Sequence, residues 1–267
     1  MIPQERQLDL RDIPSFDDGG LLGTIRRLYA YHHRSRFEWL RKKLVSLGKD
    51  AISIIELGCH DARSVGFVPV RVHRYLGLDA CWKSGWRNGK PYGMDAARLR
   101  FKGRPQFEFL QSESYEDLLA VRGTFDVAVV CETFEYLNPS ELPAYVEALA
   151  RRLNDDGCLL STMPNEKGLP LLFKAAGSRL SGVSRSEYTR AQFWNAVCGR
   201  LDRVPRALRG RRGFDYAAMA SLISLHFPQV RLEAVSSPWL PLWLNLNVGL
   251  IATKQPTRGT IHAREPE

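Results

Sequence analysis

The chain lacks most of the features that mark a stapled, metal-bound, secreted or membrane-spanning protein. Its five cysteines, at 59, 81, 131, 158 and 198, include no C-x-x-C pair and no matching histidine spacing. Neither a zinc site nor a disulfide framework is indicated, and no metal is expected. The opening residues Met1-Ile2-Pro3-Gln4-Glu5-Arg6 lack the basic-then-apolar layout of a signal peptide. The most apolar late stretch, Pro238 to Ala252, is broken by its prolines and by Asn245 and Asn247, and makes a poor bilayer span. A cytoplasmic protein with reduced thiols, peripheral at most to the inner face of a membrane, is the expectation. The glycine series G-x-G-x-x-G of a dinucleotide site is missing as well, as are internal repeats and low-complexity tracts.

What is present is an ordinary globular composition, with 267 residues, 44% of them hydrophobic and 25% charged. That is enough to bury the core of one large α/β domain. The net charge of +9 is concentrated: residues 174 to 212 hold ten Lys/Arg against two acids, everything before them nets +1 and everything after nets zero. A segment of that kind suggests an anionic partner or surface.

The pattern organises itself around Ile52-Ser53-Ile54-Ile55-Glu56-Leu57-Gly58-Cys59-His60-Asp61-Ala62. An isoleucine-rich run that ends in an acid and a glycine reads as a buried strand entering a tight loop before a helix. Gly58 allows close approach of the backbone to a ligand, and the N–H groups that open the next helix face the loop. Seventeen residues after Ala62, Tyr75-Leu76-Gly77-Leu78-Asp79 is a second apolar run ending in a carboxylate. This is the distance at which a βαβ unit presents an acid to ribose hydroxyls. Taken alone, the loop serves equally well as a plain strand-to-helix connection.

Around this centre, residues 1–20 read as a loosely held arm and 21–254 as a single domain, with 255–267 a flexible tail. Leu21 to about Leu47 has helical periodicity, closed by Gly48, and its Tyr29, Tyr31, His32 and His33 read as packing and surface. A crossover helix is expected from Arg63 to about Val72, interrupted by Pro69, and loops around Cys81 to Trp86 and at Asn88-Gly89. A short helix is expected near Met94 to Leu99, a strand at Phe107 to Gln111, and a capped helix from Ser114. Phe125 to Cys131 is nearly continuous in apolar residues, as a central parallel strand should be. It ends in Glu132-Thr133-Phe134-Glu135-Tyr136-Leu137. A helix from Asn138 to Leu153, a turn at Asn154 to Gly157 and a strand at Cys158 to Met163 follow. Strands alternating with helices from 52 to 163 indicate a doubly wound, Rossmann-like parallel sheet.

These pieces, in this order, resemble the class I S-adenosylmethionine-dependent methyltransferases, and within them the small-molecule, glycan and lipid branch. The resemblance rests on Ile55 to Cys59, on Leu78-Asp79, on Phe125 to Glu132 with Glu135-Tyr136-Leu137, and on Leu153 to Gly157 with Leu159 to Asn165. It implies S-adenosylmethionine as cofactor and a seven-stranded sheet whose last two strands, Val230 to Val235 and Leu246 to Ala252, form an antiparallel edge hairpin. It implies that Glu56, Gly58 and the loop residues Cys59 and His60 border the methionine part, and that Asp79 accepts from the ribose hydroxyls. Ser112 or Glu113 would neighbour the adenine, and Cys131 with Glu132 would line the floor. His60 and Ala62 stand where the family usually has its second and third glycines, and Tyr136 where it often has histidine. Residues 166–212 fall where the family carries a substrate lid.

Methyl transfer to a hydroxyl benefits from a general base. Glu135 and His226 are the candidates, with His32 behind them. The basic lid, with Arg200, Arg203, Arg206 and Arg209 at every third residue, is expected to meet phosphates of a saccharide acceptor, lipid-linked or phosphorylated, at an anionic membrane face. Trp239, Leu240, Leu242 and Trp243 are expected in the core or at a membrane-facing edge. A nucleic-acid methyltransferase is the second reading, disfavoured because no RNA-binding module accompanies the basic segment. The resemblance argues the same way, since no Asn/Asp-Pro-Pro-Tyr-like signature follows the fourth strand and no proline precedes Cys131. A non-catalytic interaction protein is the third.

Overall fold

The computed structural model describes residues 21–81, 85–87, 90–180 and 187–255, with backbone only for 21–30, 32, 86, 87 and 180. The expected arm, the Asn88-Gly89 turn and the tail from 256 onward lie outside the described residues. In chain order the elements are α1 (Leu21–Ser46), β1 (Ala51–Leu57), β2 (Arg71–Asp79), β3 (Gly85–Arg87), β4 (Lys90–Tyr92), α2 (Met94–Arg100), β5 (Phe107–Gln111), α3 (Tyr115–Ala120) and β6 (Phe125–Cys131). They continue with α4 (Leu142–Arg151), β7 (Leu153–Pro164), α5 (Gly168–Leu180), α6 (Arg190–Val197), α7 (Tyr216–Ser224), β8 (Gln229–Ala234) and β9 (Asn247–Thr253). Seven strands form one sheet in the order β5-β2-β1-β6-β7-β9-β8. Its pairs are parallel except where β9 runs antiparallel between β7 and β8. The expected fold class, with an antiparallel edge pair, is therefore the observed one.

Strand alternation explains how the sheet is covered on both faces. Ile52, Ile54, Val127, Val129 and Leu160 pack toward Trp39, Leu40 and Leu44 of α1, while Ile55, Leu57, Ala128, Val130 and Leu159 pack toward residues of α3, α4 and α7. Each such fully enclosed aliphatic side chain contributes about 1.5–3 kcal/mol.

The chain departs from the sequence expectation between β1 and β2. In place of a helix from 63 to 72 there is one 3-10 turn, Arg63–Phe67, and β2 starts at Arg71, already paired with Ala51. Pro69 has no N–H to continue a helix, and Val65, Val68 and Val70 favour extended backbone. The N-terminal helix covers the face left open, with Phe37 stacked on Phe67 at 5.1 Å between ring centroids. Gly85 and Trp86, expected as loop, belong to a short strand, residues 85–87, that pairs antiparallel with residues 90–92. Asn154 to Gly157 form an excursion within β7, where Leu153 pairs with Phe125 and Cys158 resumes at Val127. Residues 166–212 fold as α5 and α6 around their own apolar cluster of Leu171, Ala196 and Val204. Thr189 and Gln192 make a reciprocal capping box at the start of α6.

Candidate active site

Parallel strands end together, so the loops after β1, β2 and β6 meet at the carboxyl edge of the sheet, where open α/β sheets bind ligands. Every non-glycine residue with positive φ among the described residues lies in these loops: His60 (49°), Ala62 (51°), Cys81 (59°) and Glu132 (53°). An L-residue in this conformation costs about 1–2 kcal/mol. His60 and Ala62 thus keep a glycine-like backbone at positions where glycine is absent. Gly58 also has positive φ, and a Cβ built there would stand 2.1 Å from Thr133 Oγ1, so the loops after β1 and β6 touch only because residue 58 has no side chain.

Asp79 is fixed between two of these loops. Its Oδ2 accepts from the His60 N–H at 2.9 Å and its Oδ1 from the Cys81 N–H at 2.8 Å. Gly58 and Cys59 both donate backbone N–H to Leu78 O, at 2.7 and 3.1 Å. Ser112 donates its N–H to Asp79 O at 2.9 Å and is buried, which keeps the end of β5 beside this carboxylate. Glu113 points to solvent, and its carbonyl accepts from the Tyr145 hydroxyl at 3.3 Å. The His60 ring meets Tyr92 of β4 edge-on at 4.8 Å, so the small hairpin forms one wall.

Glu56 is buried and accepts from Ser64 Oγ at 2.5 Å and from the Tyr75 hydroxyl at 2.6 Å through the same oxygen. Burial raises its pKa to about 7 against these two hydrogen bonds. The same burial, followed by the charge of Glu56, pushes the Cys131 thiol up to about 12 and the Cys59 thiol higher still, so neither is a nucleophile.

The loop after β6 carries the charge cluster. Arg211 of the lid donates to Glu132 at 2.8 Å, lies 3.7 Å from Glu135, and holds its guanidinium 5.9 Å from the centre of the Tyr136 ring. With its amide nitrogen turned inward, Asn247 donates to the other Glu132 oxygen at 3.2 Å. Glu135 is fully buried and both its oxygens lack a hydrogen-bond partner. Burial first, and the charge of Glu132 next, push its carboxyl well above the usual carboxylate range, with Arg211 opposing. Fully enclosed and facing Arg211, it has no open side toward an acceptor, so the general-base assignment does not suit it. The inner face of α1 adds His33, which sequence reasoning had left to packing and surface, and Arg36, which it had not singled out. His33 is held neutral down to about 4 by burial and by Arg36, and Arg36 has a buried Nε without a partner. No periodicity distinguishes these two from other core-side positions of a basic helix.

The structure separates the remaining candidates. His226 follows α7 just before β8, at the amino edge of the sheet and on the far side from these loops. A helix must return the chain to that edge before each parallel strand, so His226 is no catalytic base. The side chain of His32 lies outside the described ones. Arg200, Arg203 and Arg209 are exposed, but Arg206 is not part of an anion surface: it donates to the carbonyls of Phe134 and Glu135, at 3.4 and 2.8 Å, and to that of Gly210. Between α5 and α6 lies a cleft of about 590 Å³, whose lining includes Glu166, Lys174, Tyr188, Arg190, Trp194 and Arg211. Glu166 is paired with Lys174 at 3.0 Å and accepts from the Tyr188 hydroxyl at 3.4 Å. Because Arg211 both lines this cleft and holds Glu132, the cleft opens onto the loop after β6.

No known family profile matches the chain, and no curated protein resembles it significantly in sequence. Solved structures do resemble it. Magnesium protoporphyrin IX methyltransferase of Synechocystis PCC 6803, determined with bound SAH, aligns at a TM-score of 0.53 and 13% identity, over 90% of this chain and 91% of its own. The methyltransferase domain of bacterial CtHen1-CN aligns at 0.52 and 15% identity, over 83% and 99%. The fold is that of the class I S-adenosylmethionine-dependent methyltransferases. A third methyltransferase of this fold, from Clostridium acetobutylicum ATCC 824, aligns at 0.53 with 10% identity, over 82% of this chain and 91% of its own. Within the methyltransferase fold, α5 and α6 lie between the fifth parallel strand and the last helix, and the cleft between them adjoins the carboxyl edge.

Proposed function

We propose that the chain is an S-adenosylmethionine-dependent methyltransferase acting on a hydroxyl of a saccharide or related hydroxylated metabolite. The observation that carries the reading is the gathering of all four left-handed non-glycine residues around Asp79, Gly58 and Glu132. Local strain of this kind persists where the surrounding fold holds it in place for function.

The residues fit the cofactor. Asp79 has both oxygens oriented by backbone N–H groups and retains lone pairs for the ribose hydroxyls. Arg36 carries a buried Nε without a hydrogen-bond partner. A buried guanidinium with an unmade hydrogen bond suits the carboxylate of an amino-acid end, and the carboxylates of Glu56 and Glu132 suit its ammonium. When bound, S-adenosylmethionine supplies an already activated methyl group.

What remains for the protein is to hold the acceptor in line and keep water out, an effect worth about 7–11 kcal/mol in favourable cases. The cleft between α5 and α6 suits that task. Trp194 offers a ring face for a sugar, and the exposed Arg190 offers positive charge to a phosphate or carboxylate on the acceptor. His33, lowered to about 4 by burial and then by Arg36, is too weak a base to take the acceptor proton.

The test is calorimetry of S-adenosylmethionine binding to the full chain and to Asp79→Ala. The full chain should bind and the variant should not; retained micromolar affinity in the variant overturns the assignment of the site.

A further inference from the structure

The loop between β8 and β9 is built to hold two tryptophans in solvent. Trp239 is 81% exposed and Trp243 59%. Two buried amides fix the backbone that carries them. Asn245 accepts from the Ser237 N–H at 2.8 Å and donates to the carbonyls of Ser237, Leu240 and Pro241 at 3.0, 3.2 and 3.3 Å. Asn165, fully buried at the end of β7, donates to the carbonyls of Trp243 and Asn245 at 3.1 and 3.0 Å. A loop so ordered has already lost its conformational freedom, yet leaves its largest apolar groups in water.

The topology locates this loop. β8 runs parallel to β7, since both are antiparallel to β9, so the segment after β8 emerges at the carboxyl edge together with the candidate active site. α5 leaves the same edge, packs against the 242–244 turn, and exposes Leu169 and Phe173 one helical turn apart. Next to them is the segment that carries the charge excess, ten Lys/Arg against two acids over residues 174 to 212. Arg179, Arg190, Arg200 and Arg203 of this segment are exposed.

Exposed indoles beside exposed arginines match one kind of surface. Indole partitions to the level of lipid headgroups, and arginine is drawn to anionic lipid phosphates. A second copy of the chain fits poorly, because it would bring two strongly positive faces together. No helix among the described residues is long and apolar enough to cross a membrane, so the contact would be peripheral.

We propose that the edge formed by Trp239, Trp243 and the arginines of α5 and α6 docks on an anionic lipid bilayer. The surface and the acceptor cleft share one edge of the sheet, so docking brings the cleft to the lipid headgroups. The inference does not depend on the cofactor assignment, and its test involves no catalysis.

The experiment is flotation of the full chain with vesicles of phosphatidylcholine alone or mixed with phosphatidylglycerol. The full chain should float with the mixed vesicles only, and added salt should release it. Trp239→Ser/Trp243→Ser, checked for folding by circular dichroism, should bind roughly tenfold or more weakly, as expected when two large apolar side chains leave an interface. Arg179→Gln/Arg190→Gln, on α5 and α6, should weaken binding and flatten its salt dependence. Failure of the full chain to bind mixed vesicles, equal binding to both vesicle types, or undiminished binding by the folded tryptophan variant overturns the proposal. So does a dimer of the free chain that the tryptophan variant abolishes while neither protein binds vesicles.

Discussion

Arg211 reaches from the lid to Glu132, at 2.8 Å, across 79 positions of sequence, and Glu132 itself stands in left-handed backbone at the end of the central strand β6. One ion pair therefore couples the segment that carries α5 and α6 to the loop after β6. The pair and the Asn247 amide act on the Glu132 side chain, while its N–H donates to Thr162 O at 2.8 Å.

Arg211→Met removes the cation from a carboxylate whose side chain is 6% exposed, while Arg211 itself is 33% exposed. The expected loss is about 2–3 kcal/mol, below the roughly 3–5 kcal/mol of a fully enclosed pair because solvent screens part of it. Urea unfolding measures the loss, and faster proteolysis within the lid should accompany it. Pairing the change with Glu132→Gln should recover much of the stability; an equally unstable double variant would contradict this account.

Gly58→Ala meets two obstacles, a φ of +78° and a Cβ 2.1 Å from Thr133 Oγ1. The backbone contribution alone is about 1–2 kcal/mol, and the overlap adds to it. Thr133→Gly in the same chain should relieve the overlap, since Oγ1, Cγ2 and Cβ of Thr133 are the atoms met, and leave the backbone part. Thermal unfolding of the single and double variants separates the two, and a fully restored double variant would show that the left-handed conformation is not the constraint.

Glu56 supplies a pH dependence whose sign follows from its shift. Its carboxyl titrates at about 7 in the fold against an ordinary 4.5, with burial the leading cause. Between those values the folded chain retains a proton that the unfolded chain has lost, so this group's contribution to stability falls as pH rises through the window, and the full penalty applies above it. Glu56→Gln keeps an acceptor for Ser64 and Tyr75 and removes the titration. The variant should gain on the parent as pH rises from about 4.5 to about 7. Urea unfolding across that range tests it, and a difference independent of pH would rule it out.

His226→Ala should leave methyl transfer unchanged, since the residue belongs to the amino edge of the sheet. Steady-state kinetics on the variant checks the assignment, and loss of activity would refute it.

Much of the fold was legible because the signals are local. The alternation of Ile52, Ile54 and Ile55 and the apolar run from Phe125 to Cys131 are repeats of period two or one, and both became central strands. The one missed crossover came from reading Arg63 to Val72 as helix, although Pro69 and the surrounding valines opposed it locally. α1 made the error inexpensive for the protein by covering the exposed face itself.

By itself, the sequence determined the positions of β1, β2, β5, β6 and β7 along the chain, the glycine loop at Gly58 and the carboxylate at Asp79, since each depends on residues a few positions apart. Only the tertiary structure decided that Glu135 is fully buried, that Arg206 is consumed by carbonyls, that His33 and Arg36 join the site and that His226 does not. It alone decided that Trp239 and Trp243 face solvent. These outcomes depend on burial and on contacts between residues far apart in the chain, and neither leaves a periodicity in the sequence for local reasoning to detect.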